Sequence, residues 1–133
     1  MQKSLSNRLY VALLFGMITI CLSCGKEDPC SGNGWAGTYN GTINCNGTSE
    51  GVTVIIEATA SDSIRINYFS PSSATNFFDP FPIAECGIEY SAKNGGGTIS
   101  LTASLDGNNL SLSEQVNLGG NISSCQIAAT RFN

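Results

Sequence analysis

The sequence predicts an all-β domain: a small antiparallel meander barrel or sandwich of about seven to eight strands, stapled by disulfides. Three observations predict it. After residue 33, apolar and polar residues alternate with a period of two, which is typical of strands with one buried and one solvated face. Clusters of glycine, asparagine and aspartate separate these runs, as in tight hairpins. Four cysteines, an even number, follow residue 24.

The N-terminal segment has the layout of an export signal. Lys3 and Arg8 give it a charged start, and the stretch 9–22 that follows contains no charged residue. Its fourteen residues are fewer than the ~18–20 that a membrane-spanning helix needs. A small residue, Ser23, precedes Cys24. We therefore expect a signal peptide over residues 1–23, a polar tether over 24–33 and one β domain over 34–133.

The end of this signal resembles the lipobox of bacterial lipoproteins, in which a cysteine becomes the first mature residue and carries the lipid. Residues 21–24 read Cys-Leu-Ser-Cys, and Cys24 takes the place of the lipidated cysteine. Lys26, Glu27 and Asp28 then resemble the short charged tag that sends lipoproteins of the Bacteroidota to the cell surface. The resemblance implies an outer-membrane protein, anchored to the membrane by lipid and facing the cell surface.

The mature part, residues 24–133, has 110 residues, which is enough for one domain. It contains all ten acidic residues of the chain and four of the six basic ones, so its net charge is −6 with an acylated amino terminus. Nucleic-acid binding needs clustered lysine and arginine, and this composition argues against it. The acidity mainly favours solubility.

Seven alternating runs indicate seven strands. We place Trp35 and Tyr39 in the core, and Glu114 interrupts the apolar alternation of its run. Turn residues lie between most runs, and no helical stripe longer than two turns follows the signal. The runs are Trp35–Cys45, Val52–Ala60, Ile64–Tyr68, Ala84–Tyr90, Ile99–Leu105, Leu110–Val116 and Cys125–Ala129.

Four cysteines remain in the mature domain after Cys24, and in an oxidising compartment they predict two disulfides. In a closed meander with an even number of strands, the first and last strands pair antiparallel. We therefore expect an eighth strand near Phe77 and a Cys45–Cys125 bond, which leaves Cys30 for Cys86. No Cys-x-x-Cys pair and no histidine supports metal binding by these thiols, and we expect neither metal nor cofactor.

The chain contains no histidine, which removes the commonest general base and excludes a Ser–His–Asp triad. Glu85 and Glu89 are a carboxylate pair, and we expect both to point to solvent. No nucleophile and base are assembled in a motif, so we expect a protein that is not an enzyme.

The segment 70–82 is the longest break in the strand pattern and contains Phe77, Phe78 and Phe81. Long loops on a rigid β scaffold often carry binding, and aromatic rings are favoured anchors. The alternative is that these rings cover the core or plug the barrel, because a small domain needs its apolar side chains inside. Both interpretations stay open at the level of sequence.

The runs that begin at Gly34, Val52 and Asp62 resemble the small, β-rich, lipocalin-like lipoproteins of the Bacteroidota. That resemblance implies architecture more than activity. We expect a binding module with a small apolar ligand or a protein partner, at the aromatic loop and the barrel mouth. An inhibitor similar to the lysozyme-inhibitor lipoproteins and a structural component of a surface assembly are the alternatives. Ser63, in Asp62-Ser63-Ile64, resembles a bacterial O-glycosylation acceptor.

Overall fold

The computed structural model describes residues 28–72, 74–76 and 80–132, and these form one short helix and nine strands. Phe77 and Phe78 lie outside the described residues. The helix, α1, spans Gly32–Trp35. The strands are β1 Gly37–Cys45, β2 Thr48–Ala60, β3 Ser63–Phe69, β4 Ala74–Asn76, β5 Phe81–Pro82, β6 Gly87–Asn94, β7 Gly97–Asp106, β8 Asn109–Leu118 and β9 Asn121–Arg131.

All strands belong to one antiparallel sheet in the order β4-β3-β2-β1-β9-β8-β7-β6, which curls into a nearly closed barrel. The short strands β4 and β5 both pair with β3, on either side of residue 77 in sequence, and together fill one strand position. The expected eighth strand is thus confirmed, in two pieces. The remaining seam lies between this interrupted strand and β6.

Both expected disulfides are present. β1 and β9 pair antiparallel, and their register places Cys45 directly opposite Cys125 with 4.1 Å between the Cα atoms. The second bond joins Cys30 to Cys86. The first bond closes a sequence separation of 80 residues and the second one of 56, so each constrains much of the unfolded chain.

The turns define two ends of the barrel. The base, as we name it, carries α1 and the β2–β3 and β7–β8 turns, and the mouth carries the β1–β2, β6–β7 and β8–β9 turns. At the base, the Ser31 side chain caps α1 by accepting from the Gly34 N–H. The Tyr39 hydroxyl donates to the Trp35 carbonyl, and Arg131 donates to Tyr39 and lies 5.3 Å from the centre of its ring.

The folded unit therefore begins before residue 34. Cys30 is tied to Cys86, and the backbone N–H of Gly32 donates to the Ser61 carbonyl, so residues 28–33 of the expected tether are held against the base. Trp35, as expected, is fully buried there, as is Tyr39.

Inward side chains of the strands form the core. Gly41 marks the closest approach within the wall: a Cβ on it would lie 2.0 Å from the Ala128 carbonyl oxygen of β9. The buried apolar residues are Trp35, Tyr39, Ile43, Val52, Val54, Ile56, Ile64, Ile66, Tyr68, Phe81, Ile88, Leu101, Ala103, Leu110, Leu112, Ile127 and Ala129.

One detail of the expected alternation was wrong, and a second, the carboxylate of Glu114 in an apolar run, is explained by the structure. Ala84 and Cys86 do not share the buried face of a strand, because they belong to an exposed turn before β6. Glu114 is in phase with the inward residues Leu110 and Leu112 of β8, and its carboxylate accepts a hydrogen bond from the Tyr68 hydroxyl. A polar partner across the barrel therefore lets a carboxylate occupy an inward position.

Candidate functional site

The aromatic loop contributes one ring to the core. Phe81 is 1% exposed, lies opposite Ile64 and packs edge-to-face on Tyr90 with ring centres 5.0 Å apart. This contact joins β5 to β6 across the seam. Phe81 is therefore not a surface anchor for a ligand, and the interpretation in which the ring covers the core is the correct one for this residue.

The barrel interior is filled by its own side chains. α1 places Trp35 at the base, and strands β1, β2, β3, β5, β6, β7, β8 and β9 each contribute at least one residue to the buried cluster. The cavities characterised among the described residues open on the outer surface. A carrier of a small apolar ligand needs a cavity inside its barrel. The candidate site is therefore one of the cavities on the outer surface.

The largest of these cavities is a groove of about 550 Å³ on the outer face of β6, β7 and β8. We call it the outer groove. The sheet register builds it in rows, because Glu89, Thr102 and Ser113 are directly opposite one another on successive strands. The next row joins Gly87, Ser104 and Ser111. The side chains that give the outer groove its chemistry are those of Glu85, Glu89, Thr102, Ser104, Ser111 and Ser113.

An unusual turn fixes Glu85 at the rim of the outer groove. Glu85 and Cys86 have φ angles of 51° and 60°, a left-handed conformation that glycine or asparagine normally adopts. Ala84 and Gly87 exchange two backbone hydrogen bonds of 2.9 Å around them, and Cys86 is bonded to Cys30 of the segment before α1. Such a backbone costs about 1–3 kcal/mol per residue and persists where the surroundings fix it.

Further grooves continue the outer groove across the sheet. A groove of about 350 Å³ is lined by Thr42 and Gln126 and shares Ser111 and Ser113 with the outer groove. Another, of about 360 Å³, is lined by Gln115 and Gln126 and also shares Ser113. Ser113 therefore stands at the junction of all three. Together their lining residues extend from β6 to β1.

The chemistry of this surface is almost entirely that of neutral polar groups. Among the described residues that line the three grooves, the charged ones are Glu85 and Glu89, and neither makes an ion pair. The rest are hydroxyl or amide side chains, or small or apolar residues of the wall. Both Glu85 and Glu89 are exposed, as expected from the sequence, but they line one groove.

Two other carboxylates, those of Glu50 and Glu114, point into the barrel on the side of the mouth, and each accepts hydrogen bonds from hydroxyl groups. Hydrogen bonds from Ser70 and Ser72 lower the pKa of Glu50. Burial, together with the hydrogen bond to Glu114, raises the pKa of Tyr68. β1 and β9 separate Glu50 from Glu114, which is about 14 Å along the sheet. Each of the two carboxylates is thus bound by hydroxyl groups on its own part of the sheet. Across the described part of the chain, no group of three metal-ligating side chains forms.

The sequence showed the polar residues of the grooves but not their grouping. Ser111 and Ser113 alternate with Leu110 and Leu112 as polar residues do on the other strands, and nothing in their spacing indicates a groove. Comparisons with models of protein families, with curated proteins and with solved structures found no match for this chain. Within the described ranges, no helix is long and apolar enough to span a membrane.

Proposed function

We propose that this protein is a lipid-anchored, non-catalytic binding module of the outer membrane that faces the cell surface and holds its partner in the outer groove. The lipid would be carried by Cys24, and Lys26, Glu27 and Asp28 would direct export, on the strength of the sequence resemblance. The position of Asp28 beside α1 supports this arrangement. Because Cys24 precedes Asp28 by four residues, a lipid on Cys24 would hold the base of the barrel close to the membrane and leave the wall of the barrel accessible.

The observation that carries the proposal is the contrast between a filled interior and a grooved, hydrogen-bonding exterior. The rows of hydroxyl groups in the outer groove each donate and accept hydrogen bonds, which suits recognition of a ligand. The Cys30–Cys86 bond and the strands beneath give the groove a rigid floor. A pre-formed concave site of about 550 Å³ is in the usual size range for ligand sites.

The proposal is tested by a bulky substitution at Ser113, the residue that the three grooves share. The protein is purified from the cell envelope in detergent, and binding of a panel of soluble probes is measured by calorimetry: neutral, cationic and anionic oligosaccharides and a medium-chain fatty acid. At least one probe is expected to bind the natural chain and to lose binding in Ser113→Tyr. Ser91→Tyr, on an exposed position of β6 outside the grooves, is the matched control. Binding that survives Ser113→Tyr for every probe contradicts the proposal.

Lipid anchoring has its own measurement. Intact mass of the purified chain is expected to show a start at Cys24 with a lipid-sized increment, and whole-cell protease shaving is expected to remove the protein. A chain that starts elsewhere without lipid, or one that resists shaving, would place the module in another compartment.

A second candidate function, inhibition of an enzyme, is favoured by the tip of the β8–β9 hairpin. Leu118 and Ile122 are 60% and 61% exposed there, beyond Cys125, the residue at which the pairing of β9 with β1 ends. Exposed apolar side chains on a projecting hairpin suit insertion into a cleft. Lysozyme is the probe: inhibition that is lost in Leu118→Ser with Ile122→Ser, but kept in Ser113→Tyr, would favour this function.

A further inference from the structure

We propose that the ligand of the outer groove is an uncharged polysaccharide chain that lies across strands β6, β7, β8, β9 and β1. This inference rests on the proposed function and names the substrate class of the same site. Four observations support it: the direction of the grooves, the hydrogen-bonding groups, the shape of the surface and the distribution of charge.

The direction of the grooves indicates an extended ligand. The outer groove and the grooves that share Ser113 with it cross the strands instead of following them. From Glu89 on β6 to Asn44 on β1 the path covers four strand spacings, about 19 Å. A compact ligand needs one concavity, whereas a chain molecule uses successive ones. A cavity of about 540 Å³ at Asn40, Thr42 and Thr130 extends the same path toward the base.

The hydrogen-bonding groups match sugar hydroxyls. Serine and threonine hydroxyls each donate and accept, and so does every hydroxyl of a sugar ring. Gln126 and Asn44 add amides that hold a donor and an acceptor side by side. Because these groups repeat along the path, successive sugar units meet equivalent partners. One or two isolated hydroxyls would offer no such repeat.

The surface lacks the anchors that protein partners use. Hot spots of protein interfaces are enriched in tryptophan, tyrosine and arginine in desolvated pockets. Among the described residues that line the outer groove and its continuations toward β1, there is no aromatic ring and no arginine. A hydrated polymer needs no such anchor and therefore fits this surface better than a protein partner does.

Charge selects among polysaccharides. No lysine or arginine lines these grooves in the described part of the chain, and Glu85 and Glu89 repel an anionic polymer at the β6 end. Carboxylates accept short, charge-assisted hydrogen bonds from hydroxyl donors. They therefore hold one end of a neutral chain, and Asp106, which lines the cavity that extends the path toward the base, adds a third carboxylate that repels an anionic polymer. Binding without ion pairs is expected to be insensitive to salt.

The experiment is calorimetry on the full mature protein in detergent with neutral α- and β-linked oligosaccharides, a chitosan oligomer as the cationic probe and an alginate oligomer as the anionic one. A neutral oligosaccharide is expected to bind with the same affinity at low and high salt. The double substitution Ser111→Ala with Ser113→Ala, which removes two hydroxyls, is expected to weaken binding about tenfold. Ser91→Ala, an exposed strand serine outside the grooves, is the matched control and is expected to bind normally.

The outcomes separate this inference from the proposed function. If the chitosan or alginate oligomer binds through Ser111 and Ser113 and no neutral oligosaccharide does, the substrate class is wrong and the binding function stands. If no probe responds to the groove substitutions, both fall. A neutral ligand whose binding weakens steeply with salt would also overturn the inference. Circular dichroism of each variant verifies that the fold is intact.

Discussion

The two faces of the same strands differ more than the two ends of the barrel. On β8, Leu112 is 2% exposed and packs in the core, whereas its neighbour Ser113 is exposed at the junction of the grooves. The inner face is apolar and closely packed, and the outer face of β7 to β9 is hydroxylated and nearly free of charge. One face of this sheet therefore maintains the fold, and the side chains of the other are exposed to solvent.

The largest expected effect tests this separation on neighbouring residues. Leu112→Ala removes a buried side chain and leaves a cavity, so we expect it to lower the free energy of unfolding by about 2–5 kcal/mol. Ser113→Ala is the matched substitution on the other face and is expected to change it by less than about 0.5 kcal/mol. Urea unfolding followed by tryptophan fluorescence measures both. Similar losses for the two variants would show that the outer face also maintains the fold.

Gly41 tests how tightly the wall itself is packed. A Cβ at this position would meet the Ala128 carbonyl at 2.0 Å, and a backbone atom cannot move aside as a side chain can. We expect Gly41→Ala to cost about 1–3 kcal/mol through displacement of β1 from β9. Gly51, on the adjacent strand β2, has open space where its Cβ would lie and is the control. Equal stability of Gly41→Ala and Gly51→Ala would contradict the close approach.

The Tyr68–Glu114 hydrogen bond is the polar exception on the inner face. Tyr68→Phe leaves the half-buried carboxylate without this donor, and we expect a loss of about 1.5 kcal/mol at neutral pH. Because the pKa of Tyr68 is raised in the folded protein, the folded state keeps the proton that the unfolded state releases. The stabilisation is therefore present below the ordinary tyrosine pKa of about 10 and is lost as the pH rises above it.

The pH prediction is measured as the difference in unfolding free energy between the natural chain and Tyr68→Phe at successive pH values. That difference is expected to shrink above pH about 10, since a tyrosine that ionises on unfolding favours the unfolded state. All other residues are the same in the two proteins, so subtraction removes their contribution. A difference that stays constant would mean that Tyr68 titrates alike in both states.

The smallest effect belongs to the outer face away from the grooves. Arg65 and Glu57 form an ion pair across β3 and β2 with 3.8 Å between nitrogen and oxygen, and both side chains are well exposed. We expect Glu57→Gln to change the free energy of unfolding by less than about 0.5 kcal/mol, because solvent screens such pairs. Thermal unfolding at low and high salt checks this. A loss comparable to that of Leu112→Ala would contradict the conclusion that the outer face contributes little to stability.

Much of the fold was predictable because local pattern and long-range pairing agree. Period-two alternation placed Val52, Val54 and Ile56 inside, and antiparallel closure placed Cys45 opposite Cys125. The phase of Glu114 in its run indicates an inward position, but its partner Tyr68 was not predictable, since it is 46 positions away. The turn at Glu85 and Cys86 was missed because its left-handed backbone lacks the glycine or asparagine that normally signals it.

The all-β class, most strand faces and the disulfide pairs were predictable from the sequence, because these follow from side-chain period and the geometry of a closed meander. The tertiary structure determines how the groove residues are grouped. Glu85, Ser113 and Gln126 come together through the register of four strands, and a sequence records the face of each residue but not the curvature between strands. It also decided that Phe81 belongs to the core, since the seam beside β6 exists only in the folded barrel.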